Sequence, residues 1–160
     1  MDRRLFLLAG AALAACGPSQ AASPAEARFA NSPWRKVTDA QWKQRLSPLA
    51  YDVLRKGGTE RPGSSPLNKE HRRGTFVCAG CELPLFKSEW KYDADTGWPS
   101  FWTAIKENVA VTGGIADPFF GSEYHCARCL GHQGHRFHDG PRPTGLRYCN
   151  DGVSLKFVAA

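Results

Sequence analysis

Two cysteine pairs, each spaced as CxxC, constrain this 160-residue chain more than any other feature of it. Cys78-Ala-Gly-Cys81 and Cys126-Ala-Arg-Cys129 stand 44 residues apart, farther than the knuckles of a simple zinc ribbon. Together they offer four thiolates, the closed tetrahedral set of a structural Zn2+. A fold that uses them must bring two remote turns to one point. The alternative is a pair of redox-active motifs or disulfides, which an oxidising compartment favours. A bridge within one CxxC clips only a tiny loop, whereas a shared ion ties distant segments together.

The chain opens with a basic start, Arg3-Arg4, an apolar stretch from Leu5 to Ala15, and then Cys16. That is the build of an export signal, too short to span a bilayer stably. Arg3-Arg4 before Leu5-Phe6-Leu7-Leu8 resembles a twin-arginine signal, and Leu13-Ala14-Ala15-Cys16 a bacterial lipobox. We therefore expect residues 1–15 to be removed and Cys16 to be lipidated. A membrane-anchored lipoprotein on the periplasmic side would result. A plain signal peptide cut near Ala21-Ala22-Ser23 is the other reading. Residues 16–34, rich in Ala, Ser and Pro, read as a tether, and 35–160 as one domain.

Within that domain Thr38 and Gln41 form a capping-box pattern for a helix over Asp39 to Leu46. Ser47-Pro48 starts a second helix with Leu49, Val53 and Leu54 on one face, and Gly57-Gly58 stops it. After a Pro/Gly/Ser-rich loop, short β-branched or aromatic runs predict strands at Thr75–Cys78, Val109–Thr112, Leu146–Cys149 and Val153–Val158. The expectation is a mainly β protein, with short N-terminal helices before an antiparallel core. The net charge of +6 is spread along the chain, with no basic stripe alternating with aromatics. We expect no nucleic-acid partner.

Once four cysteines are given to metal and Cys16 to the leader, only Cys149 remains. Alternation along Gly145-Leu-Arg-Tyr-Cys149 puts Arg147 on its face of a strand, where a guanidinium favours the nucleophilic thiolate. His132, His135 and Asp139, in a glycine-spaced polar segment, can supply the acid and orienting groups of a thiol enzyme. A small core cysteine is the competing reading for Cys149, and metal ligation the competing one for the two histidines.

Cys78-Ala-Gly-Cys81, Gly97-Trp98-Pro99-Ser100-Phe101, Gly131-His132-Gln-Gly-His135-Arg-Phe137, Asp139-Gly140-Pro141 and Arg147-Tyr148-Cys149 occur in this order. The set resembles the type B methionine sulfoxide reductases, which act on the R epimer of the sulfoxide. The resemblance runs from about Thr38 to Phe157. It implies two packed antiparallel sheets, a four-cysteine zinc site remote from the chemistry, and Cys149 as nucleophile. It further implies Trp98 and Phe101 around the substrate methyl group, with His132, His135, Asp139 and Arg147 around the sulfoxide and thiolate. Methionine R-sulfoxide in oxidised proteins would be the substrate, an external thiol such as a thioredoxin-like protein the reductant, and the chain a monomer.

The chain departs from the family pattern twice. Thr96 stands where many members carry a resolving cysteine, which implies recycling of a sulfenic acid by an external thiol. Asp151 stands where the family commonly has Asn, unless a one-residue shift lets Asn150 serve. A carboxylate there would raise the thiol pKa unless Arg147 pairs with it. A zinc-knuckle binding module without catalysis is the alternative function.

Overall fold

A computed structural model of the chain describes residues 22–112 and 121–160. The export signal over 1–15 and Cys16 lie outside the described residues. No helix among the described residues is long and apolar enough to cross a membrane.

Three short helices precede the sheets: α1 (Pro24–Ala27), α2 (Asp39–Arg45) and α3 (Pro48–Lys56). The capping box at α2 is present, with the Thr38 backbone N–H donating to Gln41 Oε1 at 2.8 Å and the Gln41 N–H to Thr38 Oγ1 at 3.3 Å. Ser47 caps α3, and Gly57 at φ +70° ends it. The buried face of α3 is Ala50, Val53 and Leu54, while Leu49, expected on that face, is exposed. Part of the segment read as a tether over 16–34 is docked. Glu26 meets His125 Nε2 at 3.0 Å, Arg28 donates to Glu107 O at 3.0 Å, and Phe29 and Trp34 pack on the core. Two aromatic side chains and an ion pair hold down a stretch whose small-residue composition suggested freedom.

Nine strands follow: β1 (Gly74–Cys78), β2 (Pro84–Lys87), β3 (Lys91–Tyr92), β4 (Ser100–Phe101), β5 (Val109–Val111), β6 (Ser122–Cys126), β7 (His132–Phe137), β8 (Arg147–Asn150) and β9 (Leu155–Ala159). They form two antiparallel sheets, ordered β2-β1-β9 and β3-β4-β8-β7-β6-β5. The run expected as one strand from Val153 to Val158 begins as a 3-10 turn over Gly152–Ser154. The polar segment around His132 and His135 is itself a strand at the heart of the larger sheet.

An aromatic layer joins the sheets. Phe76 and Phe86 of the smaller sheet meet Phe101, Tyr124 and Tyr148 of the larger one, with Phe86 stacked on Phe101 at 4.2 Å between centroids. All five rings are buried. Offset and edge-on ring pairs of this kind contribute about 0.5–1.5 kcal/mol each beyond their buried area. These rings commit the middle of one face of the larger sheet to the core and leave the other face, which carries Cys149, for chemistry.

Candidate active site and metal centre

Strand register assembles the uncommitted face. Tyr92 pairs with Ser100, Ser100 with Cys149, Cys149 with His135, and His135 with Glu123. One row of polar residues thus crosses five strands with Cys149 at its middle. A bulge on β7 extends the row. Tyr124 pairs with Gly134 but His125 with His132, so Gln133 is an extra residue. His132 and His135, three apart, would lie on opposite faces of a regular strand. The bulge puts them on the same face, with ring centroids 5.4 Å apart. Gly134, between them at φ +149°, has no room for a side chain: a Cβ would lie 2.1 Å from Cys149 O.

Beside this row lies a cavity of about 230 Å3 lined by Thr59, Trp98, Gly134, His135, Phe137, Cys149, Asn150 and Asp151. Trp98 is fixed by its indole Nε1, which donates to Glu60 O at 3.1 Å. Arg147 grips Asp139 with two bonds, Nε to Oδ1 at 2.9 Å and Nη2 to Oδ2 at 2.7 Å, and lies over the Phe137 ring at 4.2 Å. Asp139 thus acts on the site through Arg147. Phe101, expected at the substrate, is a correction. It follows Ser100 by one position, so alternation turns it into the aromatic core, where it is fully buried.

The Cys149 thiol is raised above its ordinary value, first by burial, and Asp151 adds to the rise. Arg147 and the hydroxyls of Thr96 and Ser100 act the other way, without overcoming burial. The expected guanidinium effect is real but is outweighed. Arg147 is paired with Asp139 and leaves Asp151 uncompensated. His135 is held below its ordinary value by burial and by His132, and so remains a neutral base opposite the sulfur.

Asn150 and Asp151 are not interchangeable. Asn150 points into the core, where it accepts from Tyr124 Oη at 2.5 Å and donates to Ser154 Oγ at 3.0 Å. Asp151 alone presents a carboxylate to the cavity side. Its Oδ1 accepts the Glu60 N–H at 2.9 Å, and its pKa is raised to about 6 by burial. Glu60 is itself buried and accepts from the backbone N–H groups of Gly152 at 2.6 Å and Val153 at 3.2 Å. Ser100 and Phe137 stand in the motifs without a role assigned to them, and nothing in the sequence marks Thr59 or Glu60 as parts of the site. An acid in the loop Gly57-Gly58-Thr59-Glu60-Arg61-Pro62 carries no sign that it will be buried.

Apart from the cavity lining, the four knuckle cysteines are buried together, their sulfurs all within 4.8 Å of one another. The short distances run between knuckles, 3.7 Å from Cys78 to Cys129 and 3.5 Å from Cys81 to Cys126. Zn–S bonds of about 2.3 Å in a tetrahedron place sulfurs about 3.8 Å apart, whereas a disulfide needs about 2.05 Å. The donor set fits one metal ion and does not fit bridges within each CxxC. Each knuckle closes alike: Glu82 and Leu130, both at φ 60°, return their N–H groups to Cys78 O and Cys126 O. Contact with Cys126 and burial push the Cys78 and Cys129 thiols well up, so four bare thiolates could not share this space without a cation. His132 and His135 are not members of the cluster.

Fold and site together define an enzyme built on two antiparallel sheets, with one cysteine at a cavity and a separate knuckle pair able to hold a metal ion. Comparison with known families agrees: the SelR domain matches residues 46–159, and the chain belongs to that family. It is 47% identical over 120 residues to the peptide methionine sulfoxide reductase MsrB of Bradyrhizobium diazoefficiens, covering 74% of this chain and 86% of that one. It is 44% identical over 126 residues to the protein of the same name from Thioalkalivibrio sulfidiphilus, covering 78% and 92%. The corresponding protein of Agrobacterium fabrum is 46% identical over 131 residues, covering 79% and 94%.

Proposed function

We propose that this protein is a peptide-methionine (R)-S-oxide reductase in which Cys149 attacks the sulfoxide sulfur. The observation that carries this is the placement of Cys149. It is the one cysteine of the described residues outside the knuckle cluster, and it opens on a cavity walled by Trp98 and Phe137. Such a cavity suits a side chain that is apolar except for one S=O group. His135 is placed to take the thiol proton as the Cys149 sulfur–substrate sulfur bond forms. Protonation of the sulfoxide oxygen and its passage to Cys149 then release methionine and leave a sulfenic acid. The Cys149 sulfur is oxidised by two electrons and the substrate sulfur is reduced by two.

Thr96 stands where a second thiol would be needed for an internal disulfide, and Cys149 is the one cysteine of the described residues outside the knuckles, which supports recycling by an external thiol. For the knuckle ion we propose Zn2+, held by Cys78, Cys81, Cys126 and Cys129, with a structural role. It would hold the β1–β2 turn against the β6–β7 turn. The leader supports export and anchoring through Cys16, and a monomer is the simplest assembly.

The test is single-turnover reduction of each epimer of a methionine sulfoxide by the purified, pre-reduced protein. The R epimer should yield methionine without added reductant, Cys149→Ser should yield none, and a dimedone adduct should map to Cys149. Activity retained in Cys149→Ser, or no activity in the wild type, as a binding module would give, overturns the reading.

A further inference from the structure

The far side of the cavity holds a buried polar arrangement that attack by Cys149 does not use. His132, 5% exposed, bonds through Nδ1 to Glu123 Oε1 at 2.7 Å. Glu123 has a half-exposed side chain and meets solvent. This bond fixes a proton on Nδ1 and leaves Nε2 an acceptor. Yet Nε2 is buried and has no hydrogen-bond partner among the described residues. The group facing it is Asp151 Oδ2, 3.7 Å away and 4% exposed. A carboxylate cannot donate to that lone pair, whereas a carboxylic acid can. A protonated imidazole facing a carboxylate would satisfy the pair equally. A single proton on either group would turn this 3.7 Å contact into a donor–acceptor pair.

We propose that Asp151 is a further catalytic acid of this site, sharing one buried proton with His132 and delivering it to the sulfoxide oxygen as Cys149 attacks. The proposal rests on the sulfoxide-reductase reading above. Asp151 lines the same cavity as Cys149 and His135, so a substrate oxygen between them is within its reach. The charged and titratable groups around it are few. Glu60 approaches from the loop before it, His132 from β7, and Cys149 stands two residues earlier. Arg147 is turned away to Asp139, so no cation other than a protonated His132 stabilises the ionised form. Burial and the Glu60 carboxylate both favour the protonated form, in keeping with a pKa raised to about 6.

The protons balance without outside supply. The Cys149 thiol proton passes to His135, and the Asp151 proton goes to the sulfoxide oxygen. As the oxygen moves to Cys149 and the S–S bond breaks, methionine leaves and Cys149–SOH keeps the oxygen's proton. His135 then gives up its proton and Asp151 regains one through solvent in the cavity that both line, restoring both groups. Glu123 holds His132 with Nε2 toward Asp151 and is a positioning residue.

The test compares wild type and Asp151→Asn in single turnovers with R-sulfoxide across the pH range from about 5 to about 8. Asn can still accept the Glu60 N–H but cannot exchange a proton. In the wild type the rate should fall as pH rises through about 6. Asp151→Asn should lose that limb and run about 10²-fold slower at its low-pH plateau, with metal content and thermal unfolding preserved. Carbon-13 NMR of the Asp151 carboxyl in the wild type supplies an arm independent of any variant. It should titrate near 6 and shift in His132→Gln. An active wild type whose rate and limb survive in Asp151→Asn overturns the proposal alone, as does an Asp151 that titrates in the ordinary carboxylate range. A wild type inert toward sulfoxide overturns the reductase reading and this proposal with it.

Discussion

Glu60 is the residue whose removal should tell most about how this site is held. Its carboxylate accepts the Gly152 and Val153 N–H groups, its own N–H donates to Asp151, and its carbonyl accepts from Trp98. In Glu60→Ala two backbone donors in the turn after Cys149 lose their acceptor. Each unsatisfied buried donor costs about 1–3 kcal/mol. The groove beside Glu60, lined by Leu49, Ser65, Pro66, Leu67, Val153 and Leu155, lets water reach part of the space. We therefore expect a loss of about 3 kcal/mol. At an m-value of about 1.5 kcal/mol/M, the urea midpoint would fall by about 2 M. Glu60→Gln should fall between the two. Its amide oxygen replaces one acceptor, but its NH2 group opposes the second donor, at a cost of about 1–2 kcal/mol. Equilibrium urea unfolding followed by circular dichroism measures both. The bonds to Trp98 and Asp151 come from the Glu60 backbone and remain in Glu60→Ala, so KM for the sulfoxide should rise only as far as the loop shifts once its carboxylate anchor is gone. A midpoint within experimental error of wild type would refute the assignment of Glu60 as the clamp.

Two further outcomes follow from the titrating and metal-binding groups. Cys126→Ser should lose stoichiometric metal and cooperative unfolding, since a structural zinc contributes about 10–16 kcal/mol of apparent binding energy to folding. Elemental analysis with thermal unfolding checks this, and a metal-free protein of full stability would contradict it. Asp151 titrates at about 6 in the folded protein against an ordinary 3.8, so the folded state binds this proton more tightly. Its stabilising contribution is complete below the ordinary value and is lost as pH rises through about 6, by up to about 3 kcal/mol in total. Asp151→Asn lacks this loss. Its stability relative to wild type should therefore increase between about pH 4 and about pH 7, measured as a difference in unfolding free energy.

Local chemistry was legible in the sequence wherever a short pattern carries its own geometry. The capping box at Thr38, the stop at Gly57 and the two knuckles are all where their residues put them. Strand alternation put Arg147 and Cys149 on one face, and the buried Tyr148 lies on the other. It could not warn that β4 is two residues long and turns Phe101 inward, because so short a strand leaves no period to read. Nor could charge pattern reveal that Arg147 would spend its guanidinium on Asp139 and leave burial to set the Cys149 thiol. Glu60 and Asp151 lie 91 positions apart, and only the folded chain brings them together.

The extra residue on β7 has an evolutionary consequence. Deleting Gln133 would make the pairing with β6 regular, but it would also remove a buried amide that donates to Cys78 Sγ and accepts from Ser154 Oγ. The same deletion would reverse the parity of the strand on one side of the gap, sending one of the two histidines inward. Selection for the fold and selection for activity therefore act in the same direction at a single codon. A lineage of this chain freed from the need for catalysis should still keep that codon, because the buried bonds of Gln133 outlast the use of the two histidines.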